Sequence, residues 1–183
     1  LALAEQVAAS LARRGHPVTI MCAAHAHGDP EETTPEGVRI VRRGGRHTVY
    51  ARAAWEYLRG RLGRPSVVFD VQNGLPFLSR LYARPPVVLL VHHVHREQWA
   101  VVLPAHLARL GWFLESQLAP RANRSSDYVA VSQATRDELV SIGVDPARAA
   151  TDGTTLRTVV DRMRAGYADD ADFKALDASL PRQ

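Results

Sequence analysis

Leu3, Val7 and Leu11 recur every four residues and share one helical face, and Arg13, Arg14 and Gly15 supply a basic last turn and a stop. A helix is therefore under way from the first residues. After His16-Pro17, the apolar run Val18 to Cys22 predicts a strand buried on both faces. The polar stretch 25–37, with Gly28, Pro30 and Pro35, predicts a loop before a second strand over Val38 to Val41. Ala54, Trp55, Leu58 and Leu62 lie at helical spacing within 51–62, and Gly63-Arg64-Pro65 closes that helix. A strand over 67–71 runs into the turn Gln72-Asn73-Gly74, a short helix over 77–82 ends at Pro85-Pro86, and Val87 to Val91 is the most strand-like segment. A helix over 103–118 carrying Leu107, Leu110, Phe113 and Leu114 leads to a strand at Tyr128 to Val131. Ser132 is placed to cap a last helix through Ile142, which Gly143 ends.

Alternating strand and helix predicts an α/β fold: a Rossmann-like, mainly parallel sheet with helices on both faces. In such a sheet, right-handed crossovers bring the loops after the strands to one edge, where ligands bind. A chain of 183 residues with 46% hydrophobic side chains suffices for one core, and the expected domain covers 1–156. Beyond Pro146 the periodicity collapses. Over 157–183 only Phe173, Leu176 and Leu180 match a helical pattern, and this predicts a weakly structured tail.

No apolar run approaches the roughly 20 residues of a membrane-spanning helix. The single cysteine, Cys22, excludes an intramolecular disulfide framework, agrees with a cytoplasmic location and reads as a buried, inert thiol. The net charge of +4 comes almost wholly from arginine, Lys174 being the only lysine. These arginines are scattered without interleaved aromatics, which argues against nucleic acid and leaves peripheral contact with the anionic inner face of a membrane as a partner.

The richest chemistry follows the strand 87–91: His92, His93, His95, Arg96, Glu97 and Trp99 within eight positions. An imidazole at the ligand edge can orient a substrate hydroxyl or accept its proton, and Trp99 can offer a flat apolar platform. Asn73 and Gly74 follow the neighbouring strand to the same edge, and Ser132 begins a helix whose N-terminus suits an anion. Asp70 is expected to cap backbone amides rather than touch ligand. A metal is not expected: a zinc site needs three or four converging ligands, and the other His-x-His pair, His25 and His27, lies on a distant loop. There is no dinucleotide fingerprint, P-loop or Gly-x-Ser-x-Gly.

Four blocks in order carry a resemblance. They are Leu3 to Cys22 with its Ala-Arg-Arg-Gly-His-Pro-Val turn, Val91 to Trp99, Arg109-Leu110-Gly111-Trp112-Phe113-Leu114-Glu115, and Val129 to Leu139 with Ala-Val-Ser-Gln-Ala-Thr. Together they resemble the N-terminal domain of family 4 glycosyltransferases over about residues 1–148. The resemblance implies the N-terminal half of a GT-B architecture and metal-free, retaining transfer of a sugar from a nucleotide-sugar donor to an acceptor sugar, glycan or lipid-linked acceptor. It implies that a histidine after the central strand, His92 or His93, contacts the transferred sugar. Asn73, Gly74, His95, Arg96, Trp99 and Ser132 would then line the substrate cleft. The family's opening strand with its glycine loop, and the C-terminal donor domain, are not found in these residues. The expectation is an incomplete enzyme, inactive alone and binding no cofactor itself. A non-catalytic acceptor-binding module and a metal-dependent hydrolase using His92 to His95 are the alternatives.

Overall fold

A computed structural model of the chain describes residues 2–26, 28–94, 98–102 and 104–151. They fall into two compact units that divide between Pro65 and Ser66. His27, His95, Arg96, Glu97 and the whole tail 157–183 lie outside the described residues.

In the first unit α1 (Ala2–Arg13) precedes β1 (Thr19–Cys22), and β3 (Arg39–Arg42) pairs with β1 in parallel, Ile20 opposite Ile40. Between them β2 (Glu31–Thr33) adds an antiparallel strand to β3, inside the stretch whose prolines and glycine predict only a loop. All three β2 residues are exposed, so no apolar alternation marks it. Charge is what ties it down: Glu31 pairs with Arg39 and Arg43, and Glu32 with Arg42. Hydrogen bonding and the adjacent guanidinium groups hold both carboxyls below their ordinary range.

Several expected faces in this unit are corrected. On α1 Ala8 is buried, while Val7 is exposed. β1 is half-exposed rather than buried on both faces, and Cys22 is half-buried, its thiol pushed upward by desolvation. The helix expected over 51–62 is α2 (Val49–Leu58), and its buried face is Val49, Ala53 and Glu56. Trp55 and Leu58, expected inside, are 46% and 66% exposed, and Arg59 lies 4.2 Å over the Trp55 ring. The apolar spacing was real, but a glutamate occupies the inward position.

The second unit holds a four-stranded, wholly parallel sheet in the order β4 (Val68–Gln72), β5 (Val87–Val91), β6 (Asp127–Ala130), β7 (Ala149–Ala150), flanked by helices. Its centre is β5: Val87, Val88, Leu89 and Val91 are buried, as an uninterrupted β-branched and leucine run requires between two covered faces. β7 continues the sheet just where periodicity ends; two fully buried alanines suffice because their small side chains fit against β6.

The short helix expected over 77–82 is a single 3₁₀ turn, Ser79–Leu81. The helix expected over 103–118 is instead α4 (Ala105–Phe113), a π-helical turn Leu114–Leu118, and α5 (Ala119–Ala122), preceded by the short α3 (Gln98–Val102). Pro120 lacks an N–H and its ring crowds the carbonyl four residues back, which a widened turn relieves. Leu107, Leu110 and Phe113 point outward, whereas Ala108, Gly111, Glu115, Ser116 and Ala119 are buried. α6 (Gln133–Ser141) begins on Ser132 as expected and ends at Gly143, whose φ of +98° suits glycine alone.

Candidate functional site at the strand ends

Parallel pairing decides what meets at the sheet edge. Gln72 is opposite Val91, and Val91 is opposite Ala130, so the three strands end in one row. The residues that follow are Asn73, His92 and Val131, neighbours at the C-terminal edge with about 4.8 Å between strands. The expectation that the turns after these strands share an edge therefore holds in the geometry.

Asp70, fully buried in β4, accepts from the amides of Phe77 and Ser79 at 2.9 and 3.1 Å and so pins the turn after its strand. Burial raises its carboxyl above the ordinary value, against the pull of those two amides. Inside that turn Asn73 is exposed and Gly74 buried with φ +96°, a conformation a side chain would strain.

His93 is exposed and His92 half-buried. The His92 carbonyl accepts from Thr135 Oγ1 at 3.2 Å. Since Thr135 has one hydroxyl proton, Ser132 Oγ must donate to Thr135 Oγ1 across their 3.0 Å contact, while accepting from the Thr135 amide as the cap of α6. Ser132 and Thr135 thus tie the end of β5 to the start of α6. On the His92 side chain, Nε2 is buried and has no hydrogen-bond partner among the described residues. Buried polar atoms are normally paired, and among the described residues His92 Nε2 shares its lack of a partner with Asn123 Oδ1 and Ser126 Oγ.

Trp99 occupies the first turns of α3. Its Nε1–H donates to Glu115 Oε2 at 2.6 Å, and its ring runs along Gly111, where an added Cβ would lie 2.7 Å from Cε3. The indole's far edge faces Gly74, with 3.6 Å to the position a Cβ would take there. Trp99 thus packs against the turn after β4, whose Asn73 follows its strand beside the position of His92. Glu115 and Thr135 took no part in the sequence reading of the site. A glutamate on the inward side of an apolar helix was the available signal for the first. Among the described residues no group of three or more His, Cys, Asp and Glu side chains could hold a metal ion, and no helix is long and apolar enough to cross a membrane.

Desolvation holds the His92 imidazole below the ordinary histidine value of 6.5. In the window between that lowered value and 6.5 the unfolded chain binds more protons than the folded one, so stability present above 6.5 is lost as pH falls through the folded value. Melting temperatures taken from about pH 7.5 down to about pH 5 should therefore decline less steeply in His92→Gln than in the parent. Identical slopes would show that His92 is solvated.

A parallel sheet flanked by helices, with its loops gathered at the carboxyl edge, defines a Rossmann-like α/β protein. The family model described as Glycosyltransferase Family 4 matches residues 3–151, and the chain belongs to that family. Comparison with curated proteins and with solved structures gave no match.

Proposed function

We propose that this chain supplies the acceptor-facing side of a retaining, nucleotide-sugar-dependent glycosyltransferase, with His92 contacting the sugar being transferred. The observation that carries the reading is His92 Nε2, buried without a hydrogen-bond partner among the described residues, on the residue that follows β5 at the edge of the parallel sheet. A depressed pKa keeps that imidazole neutral near pH 7, able to accept a hydrogen bond from a sugar hydroxyl or donate one as the other tautomer. Asn73, on the adjacent strand end, offers an exposed amide beside it. The acceptor is a sugar, a glycan or a lipid-linked acceptor, and the setting is cytoplasmic, at or near the inner face of a membrane. The family membership and the arginine-derived positive charge support this.

Transfer requires donor and acceptor to be held together, and orientation of this kind is worth roughly 7–11 kcal/mol of barrier. Residues 1–183 alone are therefore expected to transfer no sugar, and pairing with a donor-binding domain should bring turnover with retained anomeric configuration. Release of labelled sugar by the purified chain alone, above a denatured control, would overturn the division of labour. Acceptor binding without turnover even in the paired form would favour a binding module instead.

A further inference from the structure

The outward face of the helical stretch between β5 and β6 has no part in the proposed chemistry. From Ala105 to Ala122 the turns of α4, the π-helical turn and α5 follow one another without a break. Leu107, Leu110 and Phe113 stand three residues apart and so form one row along α4. A π-helical turn rotates the chain less per residue than an α-helix, and this brings Leu118 back under the same row. All four side chains are between 41% and 55% exposed. Single apolar side chains on a surface are ordinary, whereas a continuous row of them is a patch that calls for a partner.

The charges beside the row have one sign. Arg109 lies one helical turn before Phe113, and Arg121 and Arg124 follow on and just after α5; all three are exposed. The stretch 104–126 contains one acidic residue, Glu115, and it is fully buried against the Trp99 indole. The exposed Glu138 of α6 lines a groove with Trp112. Trp112 is two positions from Leu110 and therefore on the opposite side of α4, so no carboxylate of that groove interrupts the row.

An anionic lipid surface fits both features. The apolar row enters the boundary between headgroups and acyl chains, while the guanidinium groups stay among the phosphates. A second copy docking through the same face would set the arginines of each copy near those of the other in a two-fold arrangement, and that repulsion disfavours it. We propose that the face made by Leu107, Leu110, Phe113 and Leu118, with Arg109 and Arg121, docks this domain on an anionic lipid bilayer. That the bilayer is the inner leaflet beside the acceptor rests on the function proposed above; the affinity itself does not.

The test is cosedimentation of the 183-residue chain with vesicles of phosphatidylcholine and phosphatidylglycerol, against vesicles of phosphatidylcholine alone. Binding is expected to the first and not to the second. It should weaken as salt rises from about 0.1 M to about 1 M, which shortens the screening length from about 10 to about 3 Å. Arg109→Gln and Arg121→Gln should each weaken it about fivefold, the factor that about 1 kcal/mol per cation at such a surface gives. Arg14→Gln, an equal change in net charge at an exposed position of the other unit, should leave it as in the parent. Leu110→Ser combined with Phe113→Ser should weaken it about tenfold or more while melting like the parent, because both residues are exposed. The inference is overturned if the anionic vesicles bring down no protein, or if the paired serine variant binds like the parent. It is overturned equally if Arg14→Gln weakens binding as much as Arg109→Gln, since net charge alone would then be the cause. A dimer that the serine pair dissolves, with no affinity for vesicles, would make the face a contact between copies. No sugar is transferred in this assay, so its failure leaves the reading of His92 standing, and failure of that reading leaves the docking face standing.

Discussion

Replacing His92 by alanine, with this domain paired to a donor-binding domain as proposed, is expected to lower turnover about 30- to 1,000-fold, the range for losing one transition-state hydrogen bond in a water-poor site. The physical basis is an Nε2 atom that is buried without a hydrogen-bond partner among the described residues, on a residue whose carbonyl is held by Thr135 at the end of the central strand. His93 is exposed, and His93→Ala should cost less. His25→Ala should cost least, since His25 is exposed on the connection after β1. Melting curves of each variant separate lost chemistry from lost folding. If His92→Ala and His93→Ala both turn over like the parent, the edge loop is structural and the sugar site is elsewhere.

The second large effect concerns the sheet that carries this loop. Leu89 is wholly inaccessible at the middle of β5, between Asp70 on one strand and Tyr128 on the other. Leu89→Ala is expected to cost about 2–5 kcal/mol, because the lost side chain leaves a cavity in a close-packed layer. That is a large share of the roughly 5–15 kcal/mol available to a typical domain. Leu107→Ala, at a 41% exposed position on α4, should cost well under about 1 kcal/mol. Urea unfolding of both variants at matched slope checks the contrast. Equal small losses would mean that β5 is not the centre of the core.

Desolvation also raises the buried Tyr128 phenol well above its ordinary range, with the neighbouring Asp70 carboxylate adding to the effect. Both groups belong to the sheet interior rather than to the edge. They explain why a β6 strand containing a tyrosine and an aspartate still packs as core: Asp127 meets Arg148 at 3.3 Å, and the Tyr128 ring is covered.

Where local chemistry was sufficient, the elements could be read in advance. Val87 to Val91 is a covered strand as its unbroken apolar run suggested, Ser132 caps the helix it was placed to cap, and Asp70 caps amides as its place near a strand end suggested. Where a charged residue does the work of an apolar one, the same logic failed. β2 does not follow from apolar spacing because glutamates hold it through arginines on and just after β3, and the faces of α2 and of the helix expected over 103–118 differ from expectation because Glu56 and Glu115 are buried while Trp55, Leu107 and Phe113 are not.

The alternation of strand and helix, the position of the histidines directly after the central strand, and the family blocks from Leu3 to Leu139 were all properties of the sequence by itself. These depend on residue type and spacing, which act over a few positions along the chain. Only the tertiary structure decided that Gln72, Val91 and Ala130 end in one row, that His92 is half-buried while His93 is exposed, and that Trp99 is gripped by Gly111 and Glu115. Register and side-chain burial depend on partners 16 to 43 residues away, such as Glu115 for Trp99 and Thr135 for His92, and no local spacing encodes which partner arrives.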